Sequence, residues 1–345
     1  MMAMKPLVDK GLRRMAGYAW LALVLPLVLL ALQGCAGLPL TWRSEMPEVT
    51  HMPLAGALPK PVAPRGFALV LSGGAARGFA HIGVIKVLEE AGLRPDLIVG
   101  SSAGSIVATL YASGMSVREL EGAARDADGA MVGDTNWLRL IRLQALGVVA
   151  GNALHRFVAQ HTGGKRFEEM VIPLAVVATN LSSGAATAFT RGDASHAVHA
   201  SSAIPGVFEP VEIGGWLYAD GGLSSPLPVA TARRLGARLV IAVDVVYPPA
   251  DSPPPLTALD VMFQTFLVQT YRLKEHEVAQ ADLVIAPPIP VTGGQYGFKD
   301  RDMLIAAGEA AARTALPQMR ALLAALEQKT QQPLSRKGLV GAGFQ

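Results

Sequence analysis

The sequence predicts an α/β fold, with a mostly parallel central sheet that helices cover on both faces. Two observations lead to this prediction. From residue 66 onward, short aliphatic or β-branched runs alternate with segments of helical periodicity, and several helical segments end at a glycine, such as Gly92 and Gly114. Because consecutive strands are separated by helices, we expect most of them to run in the same direction within one covered sheet.

Each element rests on its own pattern. Short aliphatic or β-branched runs predict strands at 67–71, 96–99, 174–179, 186–190, 239–245 and 283–286. Periodic apolar positions predict helices at 78–91, 102–113, 116–127, 151–161, 193–203, 226–235, 257–280 and 301–328. The prolines of 248–255 predict a loop before the last strand. The apolar stretch at 129–150 has two interpretations, an ordinary buried helix and loop or an apolar lid over a groove.

The charge of the chain is concentrated before this predicted domain. The net charge is +3, and residues 1–34 carry four basic residues against one acidic residue, which leaves 26 of each sign in the remainder. The basic character therefore gives no indication of nucleic-acid binding. A basic flank at 5–14 followed by an apolar run at 16–32 is typical of a secretory signal.

Cys35 follows this apolar run directly and is the only cysteine of the chain, so an intramolecular disulfide is excluded. Its position resembles the lipobox of bacterial lipoproteins, which implies cleavage before Cys35 and acylation of its thiol. A free thiol in an uncleaved anchor is the alternative. The expected organisation is a signal peptide at 1–34, a proline-rich spacer at 35–65, a folded domain at 66–328 and a tail at 329–345. The expected location is the cell envelope, on the outer or inner membrane and facing the periplasm.

The segment Gly100-Ser101-Ser102-Ala103-Gly104 joins a predicted strand to a predicted helix. A serine on so sharp a turn needs small neighbours, and Gly100 and Gly104 leave room for close packing against adjacent strands. The turn directs the Ser102 hydroxyl out over the sheet, where the N-terminus of the helix points at it. Because the pattern is common by chance, its place between strand and helix carries the prediction of a nucleophile elbow.

A second glycine-rich segment, residues 72–78, also follows a strand and precedes a helix. Consecutive small residues let backbone N–H groups converge on one point, which suits an anion. That anion is either a phosphate or the oxyanion of an acyl-transfer intermediate, and a turn without function is the alternative. The segment lacks the Lys-Ser/Thr ending of a P-loop, and Ala75 stands where a dinucleotide-binding motif has its second glycine. An oxyanion hole is therefore the favoured interpretation.

Asp220-Gly221-Gly222 follows an apolar run at 216–219 and is ordinarily interpreted as a tight turn. Its interest comes from Ser102, because a serine nucleophile needs a base that accepts its proton. The two glycines would allow Asp220 to reach the serine directly. None of the seven histidines follows a late strand, where an α/β-hydrolase has its histidine, and no cluster has metal-ligand spacing. The sequence therefore predicts a serine–aspartate pair and no metal or other cofactor.

These motifs also stand in a recognisable order. Residues 73–78, 100–104, 200–205 and 220–222 resemble, in that order, four blocks of the patatin-like phospholipase family, especially its bacterial members. The resemblance covers about residues 66–320. It implies a three-layer α/β/α fold, a patatin-like catalytic domain, and a Ser-Asp dyad that uses neither histidine nor metal.

By position, the resemblance implies that Ser102 is the nucleophile and Asp220 the general base. It also implies that the backbone amides of Gly73, Gly74 and Ala75 line the oxyanion hole. Many family members have a third glycine where this chain has Ala75. The other matching residues are expected to support the site: Arg77 and Gly78 in the loop, Gly100 and Gly104 at the elbow, Gly221 and Gly222 after the base, and Ser201 and Pro205 in the third block.

The implied function is the hydrolysis of fatty-acyl esters by a lipid-anchored enzyme. Its expected partners are a membrane phospholipid or another acyl-ester substrate, and the bilayer that would hold the acyl chains of Cys35. Nucleic acid is not an expected partner. Two alternatives stay open, a catalytically silent lipoprotein that binds lipid or a partner through the same cleft, and a hydrolase of peptides or sugar esters.

Overall fold

The structure is a computed structural model that describes residues 66–127, 147–246, 248–252, 254–289 and 297–331. Every described residue belongs to one compact unit. The predicted signal peptide and spacer, with Cys35, lie outside the described residues. So does most of the apolar stretch that was expected to form a lid or a buried helix.

The described residues form strands and helices in alternation over most of their length. The strands are β1 (Phe67–Leu71), β2 (Leu97–Ser101), β3 (Gly147–Val149), β4 (Leu174–Asn180), β5 (Ala186–Phe189), β6 (Gly206–Phe208), β7 (Val211–Ile213), β8 (Trp216–Ala219), β9 (Leu239–Val243) and β10 (Leu283–Ile285). The helices are α1 (Ala80–Glu90), α2 (Ala103–Ala112), α3 (Val117–Asp126), α4 (Asn152–Thr162), α5 (Ala194–Ser201), α6 (Val229–Arg234), α7 (Ala258–Val278) and α8 (Arg301–Gln331). Among these helices none is both long and apolar enough to cross a membrane.

The main sheet has the strand order β10-β9-β1-β2-β4-β8-β7, and β5 also pairs with β4. The five strands from β10 to β4 are parallel, whereas β5 and β8 pair with β4 in the antiparallel direction. The predicted α/β fold with a mostly parallel sheet is therefore confirmed. β3 and β6 form a separate two-stranded sheet.

Helices cover both faces of this sheet, which makes the three layers. Alternate residues of β1 enter opposite cores: Phe67, Leu69 and Leu71 join one, and Ala68 and Val70 join the other. The first core is closed by α1 to α5 and by α8, which packs along α1, and the second by α6 with the end of α7. Both faces of β1, β2 and β9 are buried, which explains their uninterrupted apolar sequences.

The structure corrects several predicted boundaries. The helix expected at 226–235 is only α6, because Pro228 disfavours the α conformation at Leu227, the residue before it. A 3-10 turn, Ala75–Phe79, precedes α1 inside the helix that was expected to begin at 78. The strands β6 and β7 were not predicted, since three residues are too few to show a period. The last helix continues past its expected end at 328 to Gln331.

Candidate active site

Ser102 occupies a sharp turn between β2 and α2. Its backbone has φ 51° and ψ −127°, a conformation that a non-glycine residue adopts at a cost of about 1–3 kcal/mol. The flanking glycines are required by close approach: a Cβ on Gly100 would lie 2.6 Å from the Cα of Ser105, and one on Gly104 would overlap the carbonyl oxygen of Leu71. The segment thus has the backbone of the predicted elbow.

Asp220 follows β8 and meets the serine directly. The Ser102 hydroxyl donates to Asp220 Oδ2 at 2.7 Å, and the Gly222 N–H donates to Oδ1 at 2.7 Å. The backbone of Asp220 is fixed as well, because its N–H donates to the Ala203 carbonyl at 2.9 Å and its own carbonyl accepts the Thr179 hydroxyl at 2.7 Å. Both carboxylate oxygens therefore have a partner, and the side chain has one defined orientation.

The electrostatic state of Asp220 follows from its burial. The residue has no exposed surface, and burial raises the pKa of its carboxyl to about 7, although the hydrogen bonds from Ser102 and Gly222 act in the opposite direction. A carboxyl whose pKa lies near neutrality can both accept and return a proton at physiological pH. This is the property that a general base beside a serine needs.

The third predicted block, residues 200–205, contacts the turn at Ser102. Ser201, the last residue of α5, accepts the Ser102 N–H at 2.9 Å and donates its own hydroxyl hydrogen to the Val177 carbonyl on β4 at 2.6 Å. Gly221 packs against the same carbonyl, where a Cβ would overlap both Val177 and the hydroxyl of Ser101. Its lack of a side chain therefore lets the turn after Asp220 approach β2 and β4.

The glycine-rich loop passes directly beside Ser102. A Cβ on Gly73 would lie 3.1 Å from the Cβ of Ser102. However, the Gly73 N–H donates to the Pro226 carbonyl at 3.0 Å, so this amide is occupied and the expectation that it lines an oxyanion hole needs correction. The backbone φ is 157° at Gly74 and 49° at Ala75. Ala75 thus adopts the left-handed conformation that a glycine would tolerate more easily.

The other loop residues support the start of α1. A Cβ on Gly78 would lie 2.8 Å from the Cβ of Ala103, so the glycine allows this turn to pack against the first residue of α2. The Arg77 guanidinium donates to the Ile289 carbonyl at 3.5 Å, which joins the loop to the segment after β10. Both contacts are consistent with the expected supporting roles.

His81 is the histidine closest in sequence to this loop. Its Nε2 lies 2.9 Å from the Ser72 carbonyl oxygen, and burial lowers the pKa of its imidazole to about 4, so the ring is neutral and structural at physiological pH. The acceptor of the Ser102 hydroxyl is a carboxylate instead. Within the described residues, no group of His, Cys, Asp and Glu side chains could hold a metal ion.

Glu277 is a supporting residue that the sequence did not reveal. It is buried near the end of α7, where its Oε2 accepts the Leu227 N–H at 2.8 Å and its Oε1 accepts the Ser225 hydroxyl. Burial raises the pKa of this carboxyl to about 7. Glu277 thereby holds both neighbours of Pro226, the residue whose carbonyl accepts the Gly73 amide. A glutamate within a charged helical run gave no sequence signal of this role.

A second pair orders the loop on the other side of Gly74. Asp244, just after β9, accepts the Lys274 ammonium at 2.7 Å and the Val246 N–H at 3.0 Å, and both side chains of the ion pair are largely buried. Val245 lies between Asp244 and Val246 in the sequence and contacts Gly74. A Cβ on Gly74 would be 2.8 Å from the Val245 carbonyl oxygen. Asp244 lies at the carboxyl end of a parallel strand, a position from which its place near the site could have been inferred.

A pocket of about 470 Å³ extends from Ser102 along α2. Its walls are mostly apolar and come mainly from five α-helices and the strand β6, with Ile106, Leu110, Leu120, Leu154, Phe157 and Phe208 among the lining residues. From Ser102 to Leu110 the helix rises about 12 Å. The pocket therefore follows α2 for about this length, and its polar lining residues are Ser102, Ser202 and Asp260.

Fold and site together define an α/β protein with a buried Ser–Asp pair at an apolar pocket. Residues 69–233 match the family model of patatin-like phospholipases. It is 38% identical over 197 residues to an uncharacterized NTE family protein of Mycobacterium tuberculosis, covering 55% of this chain and 53% of that protein. The chain therefore spans about half the length of this relative.

The chain is also similar to a mouse protein and to a solved bacterial structure. Over 180 residues the chain is 35% identical to mouse patatin-like phospholipase domain-containing protein 6, covering 52% of this chain and 13% of the mouse protein. Among solved structures, VipD from Legionella pneumophila aligns with a TM-score of 0.44 and 14% identity, covering 74% of this chain and 68% of VipD.

Proposed function

We propose that the protein is a lipid acyl hydrolase that cleaves fatty-acyl esters with Ser102 as nucleophile and Asp220 as general base. The observation that carries this proposal is the 2.7 Å hydrogen bond between the two side chains at the end of an apolar pocket. The family match supports an ester of a lipid as the class of substrate.

The reaction proceeds in two halves. Asp220 accepts the hydroxyl proton while Ser102 Oγ attacks the ester carbonyl, and the same proton passes to the alcohol that leaves. Water then enters, gives a proton to Asp220 and attacks the acyl-serine carbonyl. The fatty acid leaves as Ser102 regains the proton. The carboxyl pKa of about 7 suits both proton transfers near neutral pH.

The oxyanion of each intermediate is stabilised by amides of the glycine-rich loop. We assign this role to Gly74 and Ala75, because the Gly73 amide already donates to Pro226. Each well-directed donor contributes about 3–4 kcal/mol to the stability of the transition state. The apolar pocket holds the acyl chain, which places the ester carbonyl between the serine and the loop.

Lipid anchoring is a separate part of the proposal. Cys35, placed after an apolar segment, would carry acyl chains and hold the enzyme on a membrane of the cell envelope, on its periplasmic side. The rival function is a silent lipoprotein that binds lipid in the same pocket without cleaving it. The serine, the aspartate and the glycine-rich loop are all present and lie in contact, which favours the enzyme.

A serine-reactive fluorophosphonate probe discriminates these two functions. The enzyme should be labelled at Ser102, as located by mass spectrometry, and should hydrolyse a soluble short-chain ester without added metal. Ser102→Ala should lose both properties with unchanged far-UV circular dichroism, whereas the exposed Ser183→Ala should keep both. Absence of labelling in folded wild-type protein would support the silent lipoprotein, and ester hydrolysis by Ser102→Ala would refute the assignment of the nucleophile.

A further inference from the structure

The first three turns of α7 carry an apolar face that points to solvent. Its members are three or four residues apart and so lie on one side of the helix: Ala258, Val261, Met262, Thr265 and Val268. Val261 is 53% exposed, Met262 44% and Val268 44%, and Leu256, just before the helix, is 91% exposed. This face, with Leu256, is called the α7 apolar face below.

The α7 apolar face is continuous with the pocket that contains Ser102. Leu259 and Phe263, on the inner side of the same turns, line that pocket. Leu259 and Met262 also rest on Gly206 of β6, where a Cβ would overlap the Met262 methyl group. An apolar surface therefore runs from solvent, over one helix, to the nucleophile.

Residues 248–271, which include this face, contain neither lysine nor arginine and two acidic residues, Asp251 and Asp260. Asp260 accepts the N–H groups of Leu256 and Thr257 in the cap of the helix, so its carboxylate already has partners. The first basic side chain of the helix is Arg272, which pairs with Glu275. It lies about 21 Å along the helix from Ala258.

We propose that the α7 apolar face docks on the surface of a lipid bilayer, so that the entrance of the pocket faces the acyl chains. The inference rests on the proposed function, because a lipid ester has to pass from the bilayer to Ser102 without crossing water. A bilayer fits this face better than a second copy of the chain, since a protein seated here would close the pocket mouth. The lack of basic residues indicates that apolar burial, and not attraction to anionic lipid, drives the contact.

Depth-dependent quenching tests the contact independently of catalysis. The full chain with Cys35→Ser and Thr265→Cys carries one thiol, which takes an environment-sensitive dye on the α7 apolar face. Phosphatidylcholine vesicles that contain brominated lipid should quench this dye, to the same extent in low and high salt. The triple variant Leu256→Gln, Val261→Gln and Val268→Gln should lower the quenching at least tenfold. The matched variant Val171→Gln, Leu181→Gln and Leu217→Gln removes exposed apolar side chains elsewhere and should leave it unchanged.

Rates with two substrates then connect the contact to function. Without the Cys35 and Thr265 changes, the α7 triple variant should hydrolyse a soluble short-chain ester within twofold of the wild-type rate and vesicle phosphatidylcholine at least tenfold more slowly. An unquenched dye in the otherwise wild-type chain overturns the docking proposal, whatever the rates. A dye signal that depends on protein concentration and not on vesicles also overturns it, and identifies the face as an interface between copies. Quenching without hydrolysis of either ester keeps the docking surface and refutes the hydrolase.

Discussion

Replacing Asp220 by Asn should abolish hydrolysis and at the same time stabilise the fold at alkaline pH. The asparagine has nearly the same shape, so its Oδ1 can still accept the Gly222 N–H that now bonds the carboxylate at 2.7 Å. Its amide nitrogen would face the Ser102 hydroxyl and could only donate to it. The serine then has no base. The change also removes a carboxyl that is fully buried, with a pKa of about 7 against 3.8 in the unfolded chain.

The pH window and the size of the gain follow from these values. Below about pH 4 both states hold the proton, and the wild type has no penalty. Between pH 4 and 7 only the unfolded chain ionises, so wild-type stability falls, and above pH 7 the whole penalty is present. One pKa unit corresponds to about 1.4 kcal/mol, so the penalty is about 4 kcal/mol for a shift from 3.8 to about 7.

Urea unfolding at pH 5 and pH 8, followed by circular dichroism, measures this penalty. The free energy of unfolding of Asp220→Asn relative to wild type should rise between the two pH values by about 1–3 kcal/mol, because part of the titration window lies below pH 5. The hydrolysis of a soluble ester by the variant should fall at least a thousandfold, on the order expected when a base is lost. A variant that is equally destabilised at both pH values would show that Asp220 is ionised at little cost, and the assigned environment would be wrong.

Three further predictions concern the surroundings of the dyad. The rate of soluble-ester hydrolysis should rise with pH to a plateau with its midpoint near 7, because Asp220 must be ionised. Glu277→Gln should leave that midpoint in place, even though the pKa of Glu277 also lies at about 7. Glu277→Leu should have a free energy of unfolding about 1–3 kcal/mol below that of Glu277→Gln, and a lower kcat with less change in KM. Both variants lack the buried carboxyl, but only the leucine leaves the buried Leu227 N–H without an acceptor. Ala75→Gly should leave the rate within a few fold of wild type. It should raise the free energy of unfolding by between zero and about 1 kcal/mol, because relief of the left-handed conformation is offset by the greater chain entropy of glycine. Ala75→Val, measured by the same urea unfolding, should be the less stable variant.

The parts of the fold that could be predicted are those that a short segment determines. The strand at 67–71 agrees with β1, because a run of five apolar residues is typical of a strand that is buried on both faces. The turn at Ser102 could be anticipated because only small residues at 100 and 104 permit it. Asp220 was singled out by its two glycines together with the need of a serine for a base. The contact between Ser102 and Asp220 could be predicted because these two local arguments were combined.

The parts that could not be predicted depend on residues distant in sequence. The Gly73 amide bonds Pro226, and the carboxylate that orders the neighbours of Pro226 comes from Glu277, so three segments must be in place before the loop has its geometry. No periodicity or motif contains that information. The antiparallel pairing of β8 with β4 was equally hidden, because it covers only two residues. This pairing nevertheless places Asp220, which directly follows β8, next to Ser102.

The site concentrates features that make the fold less stable. Two non-glycine residues of the described chain, Ala75 and Ser102, have positive φ, and both line the proposed reaction site. The buried carboxyl of Asp220 adds a penalty that is fully present above pH 7, where the carboxyl is ionised as the reaction requires. Such costs persist only where the surrounding structure fixes the residue, and here the fixing contacts are identified: Ser201 beneath the elbow, Thr179 and Ala203 on the backbone of Asp220, and Glu277 behind the loop. If strain and burial serve catalysis, then variants of these fixing residues should lose rate before they lose the fold, and variants that relieve the strain should gain stability without gaining rate.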